Sequence, residues 1–172
     1  MTDLPGVYSL SPYTLEEVVS RDYILNEDPD VIINLVDATN IERNLYLTTQ
    51  LTETGVPVVI ALNMADLIRK RGMKIDKKRL SELLNCPVIE TSALKKDRTK
   101  RIDRRNGLHC QKRRKNAYRK QIFSKELEAA IRAVEELLPT WIDERKKRWY
   151  AVKLLENDKK VLGKFQKCQA SL

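Results

Sequence analysis

The residues with the clearest chemistry follow the apolar run Pro57–Leu62, where a buried strand is predicted to end. They are Asn63-Met-Ala-Asp66. A carboxylate only accepts hydrogen bonds, so Asp66 can pair with the two adjacent donors of guanine, N1–H and the 2-amino group, a pair that adenine lacks. Asn63 can brace the loop and touch the base. We therefore predict guanine recognition by Asn63, Met64 and Asp66.

A second polar signature, Thr91-Ser-Ala, follows the short apolar run Pro87–Glu90. Small side chains here let backbone N–H groups approach the O6 atom of guanine. We predict that Ser92, Ala93 and Leu94 belong to the same base site. Ligands of open α/β sheets bind beyond the carboxyl ends of the strands, which is where both signatures fall.

A third signature, Asp3-Leu-Pro-Gly6, stands at the start of the chain. Asp3 can hold Mg²⁺ weakly through water, and the backbone N–H of Gly6 can approach a γ-phosphate. Each signature alone has a plainer reading, because DxxG is more often a turn and NxxD arises by chance. Together, in this order at strand ends, they favour a guanine-nucleotide domain. Asp37 also ends a strand, and we interpret it as a solvated turn aspartate.

The elements that must position these residues alternate between helix and strand. Thr14 and Glu17 match a capping box at the start of a helix. The run Val31–Val36 is apolar and β-branched, as in a strand buried on both faces, and Pro57–Leu62 and Pro87–Glu90 follow with helical stretches between them. This order predicts an α/β fold with a parallel sheet and crossover helices.

The chain becomes helical from about Phe123. An apolar stripe at helical spacing runs from Leu127 to Leu138, and Thr140-Trp-Ile-Asp143 matches a second capping box. We interpret Trp141 and Trp149 as packing residues of these helices.

The charge of the chain is concentrated in one stretch. Residues 95–120 contain 13 Lys and Arg against two Asp, a net charge of +11, whereas the remaining residues carry 20 basic and 22 acidic side chains, a net charge of −2. Basic runs of this kind bind nucleic acids or anionic surfaces. A non-enzymatic binding protein acting through residues 95–120 is therefore the alternative function.

Composition and motifs exclude several other classes. No apolar run approaches the roughly 20 residues needed to span a bilayer, and the first residues lack the features of a secretory signal. Three widely spaced cysteines, Cys86, Cys110 and Cys168, suit a reducing compartment. His109 and Cys110 have no second ligand pair at zinc spacing, so we predict no zinc site, and we propose no Ser/His/Asp triad.

Four segments of the sequence resemble the ferrous iron transport protein B (FeoB) family. Asp3-Leu-Pro-Gly-Val-Tyr-Ser-Leu-Ser-Pro-Tyr-Thr-Leu-Glu-Glu17 resembles its third GTPase motif and second switch. Val31–Leu51 and Val59–Asp66 continue the likeness, and Arg148-Trp-Tyr-Ala-Val-Lys-Leu-Leu-Glu156 is similar to the helical domain that follows the G domain in that family.

This resemblance implies an incomplete Ras-like P-loop GTPase sheet over residues 1–95, a basic segment over 96–121 and a helical domain over 122–172. It also implies GTP or GDP and Mg²⁺ as ligands. In the family, the module lies on the cytoplasmic side of the bacterial inner membrane and is tethered to a membrane domain that imports Fe²⁺. The helical domain there is thought to slow GDP release. The transporter's membrane domain is the partner that the resemblance implies.

The sequence departs from the family pattern at the phosphate loop and in the basic segment. No GxxxxGK[ST] is present, since the only Gly-Lys pair, Gly163-Lys164, is followed by Phe165. We therefore expect a truncated, GTPase-like chain without P-loop or membrane domain, with weak GTP binding, negligible hydrolysis and no catalytic residue of its own. Residues 96–121 replace a Gly-containing loop and a helix of the family, either by a compensated frameshift or by a real insertion.

Overall fold

A computed structural model describes residues 1–11, 14–91 and 123–169, with side chains to residue 165. The basic stretch 95–120 and the predicted site residues Ser92, Ala93 and Leu94 lie outside the described residues. Within them, the helices are α1 (Leu15–Asn26), α2 (Ile41–Glu53), α3 (Ala65–Lys70), α4 (Lys77–Leu84), α5 (Lys125–Leu137), α6 (Glu144–Leu155) and α7 (Lys159–Gln169), and the strands are β1 (Ile32–Asp37), β2 (Val58–Asn63) and β3 (Val88–Glu90). None of these helices combines the length and the apolar character that crossing a membrane requires.

The strands form a parallel sheet in the order β1-β2-β3. Ile32 lies opposite Val58 and Asp37 opposite Asn63, while Ile60 of β2 lies opposite Val88 of β3. Helices connect the parallel strands, as this pairing requires. The prediction of an α/β fold with a parallel sheet, followed by a helical segment, is confirmed.

The two longer strands differ in burial. The first five residues of β2 are buried, as predicted for a strand covered on both faces. In β1 the prediction was wrong, because Ile33 is 46% exposed and Leu35 is 63% exposed. The other face of β1 is covered by α2, where the Asn34 amide donates a 2.7 Å hydrogen bond to the Thr48 hydroxyl. Among the described residues, only that face of β1 is packed.

Helix starts follow the sequence signals in one case and not in the other. In α1, the Thr14 hydroxyl accepts from the Glu17 N–H and the Glu17 carboxylate accepts from the Thr14 N–H, so this capping box is confirmed. The capping box predicted at Thr140 is wrong. Helix α6 begins three residues later, with Asp143 as its N-cap accepting from the backbone N–H of Arg145 at 2.8 Å.

The described residues divide into two compact units. One contains residues 28–52 and 56–91, including the sheet; the other contains residues 1–27, 53–55 and the helices after residue 123. The core of the second unit is built around buried Ile131 and Trp149 together with Leu25, Leu138, Ile142, Tyr150, Ala151 and Val161. Trp149 is 1% exposed and packs as predicted, whereas Trp141 is 52% exposed.

The turn after α2 packs closely against α6 within this second unit. Gly55 has a φ of +79°, and a side chain there would collide with the backbone of Arg145. Both the left-handed backbone and the close approach therefore require glycine. Two residues earlier, Glu53 is 6% exposed and accepts a hydrogen bond from Nε of Arg148. Glu53, the last residue of α2, is thus held on α6 by a buried ion pair.

Candidate guanine site at the end of the second strand

The Asn63–Asp66 signature forms a tight turn where β2 ends. Oδ1 of Asn63 accepts a 2.9 Å hydrogen bond from the backbone N–H of Met64. Met64 has a φ of 58°, a left-handed conformation that non-glycine residues adopt rarely, and it is 41% exposed. The carbonyl of Met64 then accepts from the N–H of Leu67 at 3.0 Å. Asn63 therefore braces the loop as predicted from the sequence.

Asp66 lies in the first turn of α3 and is partly exposed. Its neighbours Ala65 and Ile68 are 8% and 7% exposed and fasten this short helix to the unit. The carboxylate is thus carried on a packed element and remains accessible to a ligand. The position of α3 depends on the left-handed backbone at Met64. The spacing of Asn63 and Asp66 in the sequence does not predict this conformation.

The other strand ends lie at the same edge of the sheet. The backbone N–H of Thr91, the residue after β3, donates a 2.9 Å hydrogen bond to the carbonyl of Leu62. Thr91, the last described residue before the predicted site residues 92–94, therefore lies beside the end of β2. Asp37 lies opposite Asn63, and its Oδ1 accepts from the N–H of Thr39 at 2.8 Å and from its hydroxyl at 2.7 Å. Asp37 is the turn aspartate that we expected.

The predicted phosphate residues belong to the other compact unit. Asp3 and Gly6 are both exposed, and nothing lies within 4 Å of the position that a Gly6 side chain would take. The segment that carries them is joined to α1, where the Tyr23 hydroxyl donates to Thr2 Oγ1 at 2.9 Å.

Glu90 is a charged residue beside the site that sequence reasoning missed. Its carboxylate, with the side chain only 15% exposed, pairs with Lys77 at 2.9 Å and with Arg69 at 3.4 Å. A cavity of about 180 Å³ lies here, lined by Glu90 and Arg69 together with Leu62, Ala65, Ile68, Met73, Lys74 and Ile75. Glu90 and Arg69 are 21 residues apart, so no local spacing could have revealed the cluster.

No group of three or more His, Cys, Asp or Glu side chains is arranged to hold a metal ion in the described part of the chain. The predicted Mg²⁺ contact, Asp3, supplies one carboxylate. Mg²⁺ commonly keeps several waters and binds one or two carboxylates plus phosphates. Asp3 therefore fits a contact to Mg²⁺ through water, with most other ligands supplied by the phosphates.

The parallel sheet, with polar turns at the carboxyl ends of β2 and β3, defines an α/β protein of the G-domain class. Comparison with known proteins identifies its family. The sequence-family model of ferrous iron transport protein B matches residues 1–105. The family model of the FeoB cytosolic helical domain matches residues 123–172. The chain belongs to the ferrous iron transport protein B family.

Individual relatives agree with this assignment. The Fe(2+) transporter FeoB of Escherichia coli (strain K12) is 37% identical over an alignment of 172 positions, which covers 92% of this chain and 21% of the transporter. The crystal structure of mGMPPNP-bound NFeoB from S. thermophilus matches with a TM-score of 0.84 and 46% identity, covering 94% of this chain and 60% of that one. The structure of NFeoB from S. thermophilus bound to GDP.AlF4- and K+ gives a TM-score of 0.81 and 45% identity, with coverages of 94% and 63%. The chain thus spans about a fifth of the curated relative's length.

Proposed function

We propose that this chain carries the guanine-recognising part of a GTP-binding domain. The observation that supports this most directly is the juxtaposition at one sheet edge, where the Asn63–Asp66 turn ends β2 and the Thr91 N–H bonds to Leu62. In this proposal Asp66 accepts from N1–H and the 2-amino group of guanine. Asn63 and Met64 shape the loop, and backbone N–H groups of residues 92–94 donate to O6.

The phosphate side of the proposal rests on Asp3 and Gly6. The exposed Gly6 leaves room for a phosphate oxygen to approach its backbone N–H, and Asp3 reaches Mg²⁺ through water. The printed sequence contains no GxxxxGK[ST]. A polypeptide of these 172 residues is therefore expected to bind GDP and GTP weakly and to hydrolyse GTP negligibly, because that loop supplies most of the electrostatic hold on phosphates.

The relatives support a proposal for the function of the protein to which this sequence belongs. We infer that the chain belongs to a guanine-nucleotide-regulated Fe²⁺ uptake protein. Its G domain would act on the cytoplasmic side of the membrane, with a membrane domain as its partner. We divide the sequence into a partial G domain (1–95), a basic segment (96–121) and a helical domain (122–172). The family models match residues 1–105 and 123–172, so the first match extends ten residues into the basic segment.

The alternative is a nucleic-acid-binding or anion-binding function of residues 95–120. It is favoured by the net charge of +11 in this stretch. It does not compete for the same residues, because the guanine site uses residues 63–66 and 92–94. The two functions can therefore be tested separately.

The base-exchange variant Asp66→Asn tests the guanine proposal. An asparagine amide donates to the 2-carbonyl of xanthine but presents an N–H₂ to the 2-amino group of guanine. We expect GDP affinity to fall on the order of 10- to 100-fold and xanthosine diphosphate affinity to rise, as measured by equilibrium dialysis.

Asp76→Asn is the matched control. Asp76 caps α4, and asparagine is an equally good N-cap, so the same chemical change is made away from the site. Nucleotide preference should not change in this control. If Asp66→Asn leaves the ratio of GDP to xanthosine diphosphate affinity unchanged, Asp66 does not read the base.

A further inference from the structure

Arg69, in the last turn of α3, is a cation with two candidate carboxylate partners. Its Nη1 donates to Oε2 of Glu90 at 3.4 Å. Asp66 lies three positions earlier in the same helix. Oppositely charged residues at this spacing are neighbours on the helix surface, with about 5–6 Å between their Cβ atoms, and commonly pair. Among the described residues, however, none forms an ion pair with Asp66. Arg69 is therefore paired with the distant carboxylate and not with the one on its own helix.

The surroundings of Glu90 explain this choice of partner. Its side chain is only 15% exposed, and its other oxygen, Oε1, pairs with Lys77 at 2.9 Å. A carboxylate that has lost part of its hydration gains more from a cation than one in water does. The Arg69 side chain is itself 54% exposed, so its guanidinium has room to turn to another carboxylate. Glu90 thus competes with Asp66 for the same guanidinium.

The guanidinium of Arg69 and the edge of guanine would use the same acceptor atoms of Asp66. A guanidinium presents parallel N–H donors that pair with both oxygens of a carboxylate. The N1–H and 2-amino group of guanine present a similar pair of donors to a carboxylate. An Arg69 side chain turned towards Asp66 would therefore occupy the oxygens that the base needs.

We propose that Glu90 is a positioning residue for base recognition, which holds Arg69 away from Asp66 and keeps the Asp66 carboxylate open to guanine. The proposal rests on the proposed function, because it takes Asp66 as the acceptor of the base. Glu90 acts through Arg69 and touches no nucleotide itself. All three side chains belong to the compact unit that contains the sheet.

GDP binding measured by equilibrium dialysis tests this with two single variants and their combination. In Glu90→Gln the released Arg69 competes for Asp66, so GDP affinity should fall about fivefold. Arg69→Gln should leave it within about twofold of wild type, and the double variant should regain wild-type affinity. A contact that only held α3 in place would be lost in either single variant. Both would then weaken binding, and the double variant would not recover.

Lys70→Gln is the matched control for the recovery. Lys70 follows Arg69 in α3 and is also exposed, so its replacement removes the same charge from the same helix. Added to Glu90→Gln, it should leave GDP affinity low, whereas Arg69→Gln restores it. Equal recovery with both would mean that the net charge of α3 matters and not the pairing of Arg69, and this would overturn the proposal.

Nuclear magnetic resonance of the nucleotide-free chain tests the pairing without relying on GDP. The carboxyl carbon signal of Asp66 should move in Glu90→Gln and return to its wild-type position when Arg69→Gln is added. If Glu90→Gln does not fold, Glu90→Met removes the same carboxylate with a side chain of similar volume. An unmoved Asp66 signal, or an equal loss of GDP affinity in Glu90→Gln and Arg69→Gln, would overturn the proposal. A chain that binds no GDP refutes the proposed function, while the Asp66 signal still decides whether Glu90 holds Arg69 away.

Discussion

Arg148 is a buried cation that pairs with two buried carboxylates in the compact unit that contains the helices after residue 123. Its two terminal nitrogens donate to the two oxygens of Glu128, both at 2.8 Å, and its Nε donates to Glu53. The hydrogen bonds to Glu128, opposed by burial and reinforced by Glu53, raise the pKa of Arg148 above its ordinary value. The guanidinium therefore stays charged wherever the protein is folded, and each partner carboxylate is needed to offset its desolvation.

Glu128→Gln is expected to lower the free energy of unfolding by about 3 kcal/mol, because it leaves a buried guanidinium with only one carboxylate. Urea unfolding followed by circular dichroism measures this. Glu144→Gln is the control, since that side chain is 82% exposed in its pair with Lys147; it should change stability by less than about 0.5 kcal/mol. A loss at Glu128 as small as the control would mean that the ion pair contributes little.

Sequence reasoning at the residue scale proposed candidate site residues but did not find these partners. Asn63 and Asp66, which stay a predicted guanine site, could be proposed because their signature is local in sequence and follows a strand. The partners of Arg148 are 20 and 95 residues away. Such pairs depend on which helices meet, and one sequence does not state this.

At the scale of elements, periodicity predicted the three strands and most helices, and it failed at boundaries. Both Thr140 and Asp143 are good N-cap residues, so their spacing fits a helix starting at either position. The structure has a turn here, in which the Pro139 carbonyl accepts from the Ile142 N–H at 3.2 Å. Asp143 therefore caps α6. Likewise, the apolar run of β1 indicates the type of its side chains but not that Ile33 and Leu35 are exposed.

Asp143→Ala is expected to lower the free energy of unfolding by about 1 kcal/mol near neutral pH, because α6 loses its N-cap. Thr140→Ala, which lies in the turn, should change it by less than about 0.5 kcal/mol. Chemical denaturation of both variants checks this. A larger loss for Thr140→Ala would restore Thr140 as the cap.

The stabilisation by Asp143 should depend on pH. Hydrogen bonds from the side chain and then the backbone of Arg145 lower the pKa of Asp143 from 3.8 to about 2. Because the folded-state pKa is the lower one, the contribution is complete above the unfolded value and is lost as pH falls from 3.8 towards 2. The difference in the free energy of unfolding between wild type and Asp143→Ala should therefore become smaller as the pH falls over this interval. A difference that grows would contradict the predicted direction.

At the scale of the whole molecule, the alternation of helices and strands was enough to predict the fold class, whereas the uneven charge left two functions open. The stretch 95–120 carries a net charge of +11 and the other residues together −2. Any strong binding of polyanions is therefore expected from this stretch. The family models match residues 1–105 and 123–172 and leave residues 106–120 of the stretch unmatched.

Replacement of the Lys and Arg residues between 98 and 120 by Gln should abolish salt-dependent binding to duplex DNA, because counterion release scales with the number of phosphate contacts. GDP binding should persist, since Asn63 and Asp66 are unchanged. Fluorescence anisotropy at low and high salt, with equilibrium dialysis of GDP, measures both. DNA binding that survives the replacement would locate the cationic surface elsewhere, and loss of GDP binding alone would implicate the stretch in the base site.

The parallel register has a consequence for the order in which the chain folds. Ile32 pairs with Val58, 26 positions away, and Ile60 pairs with Val88, 28 positions away. Helices α5 and α6 pack as near neighbours in sequence, so their encounter closes a shorter loop. Since loop closure precedes the gain from non-local contacts, we expect the α5–α6 hairpin to form earlier and the sheet to set the slow step of folding.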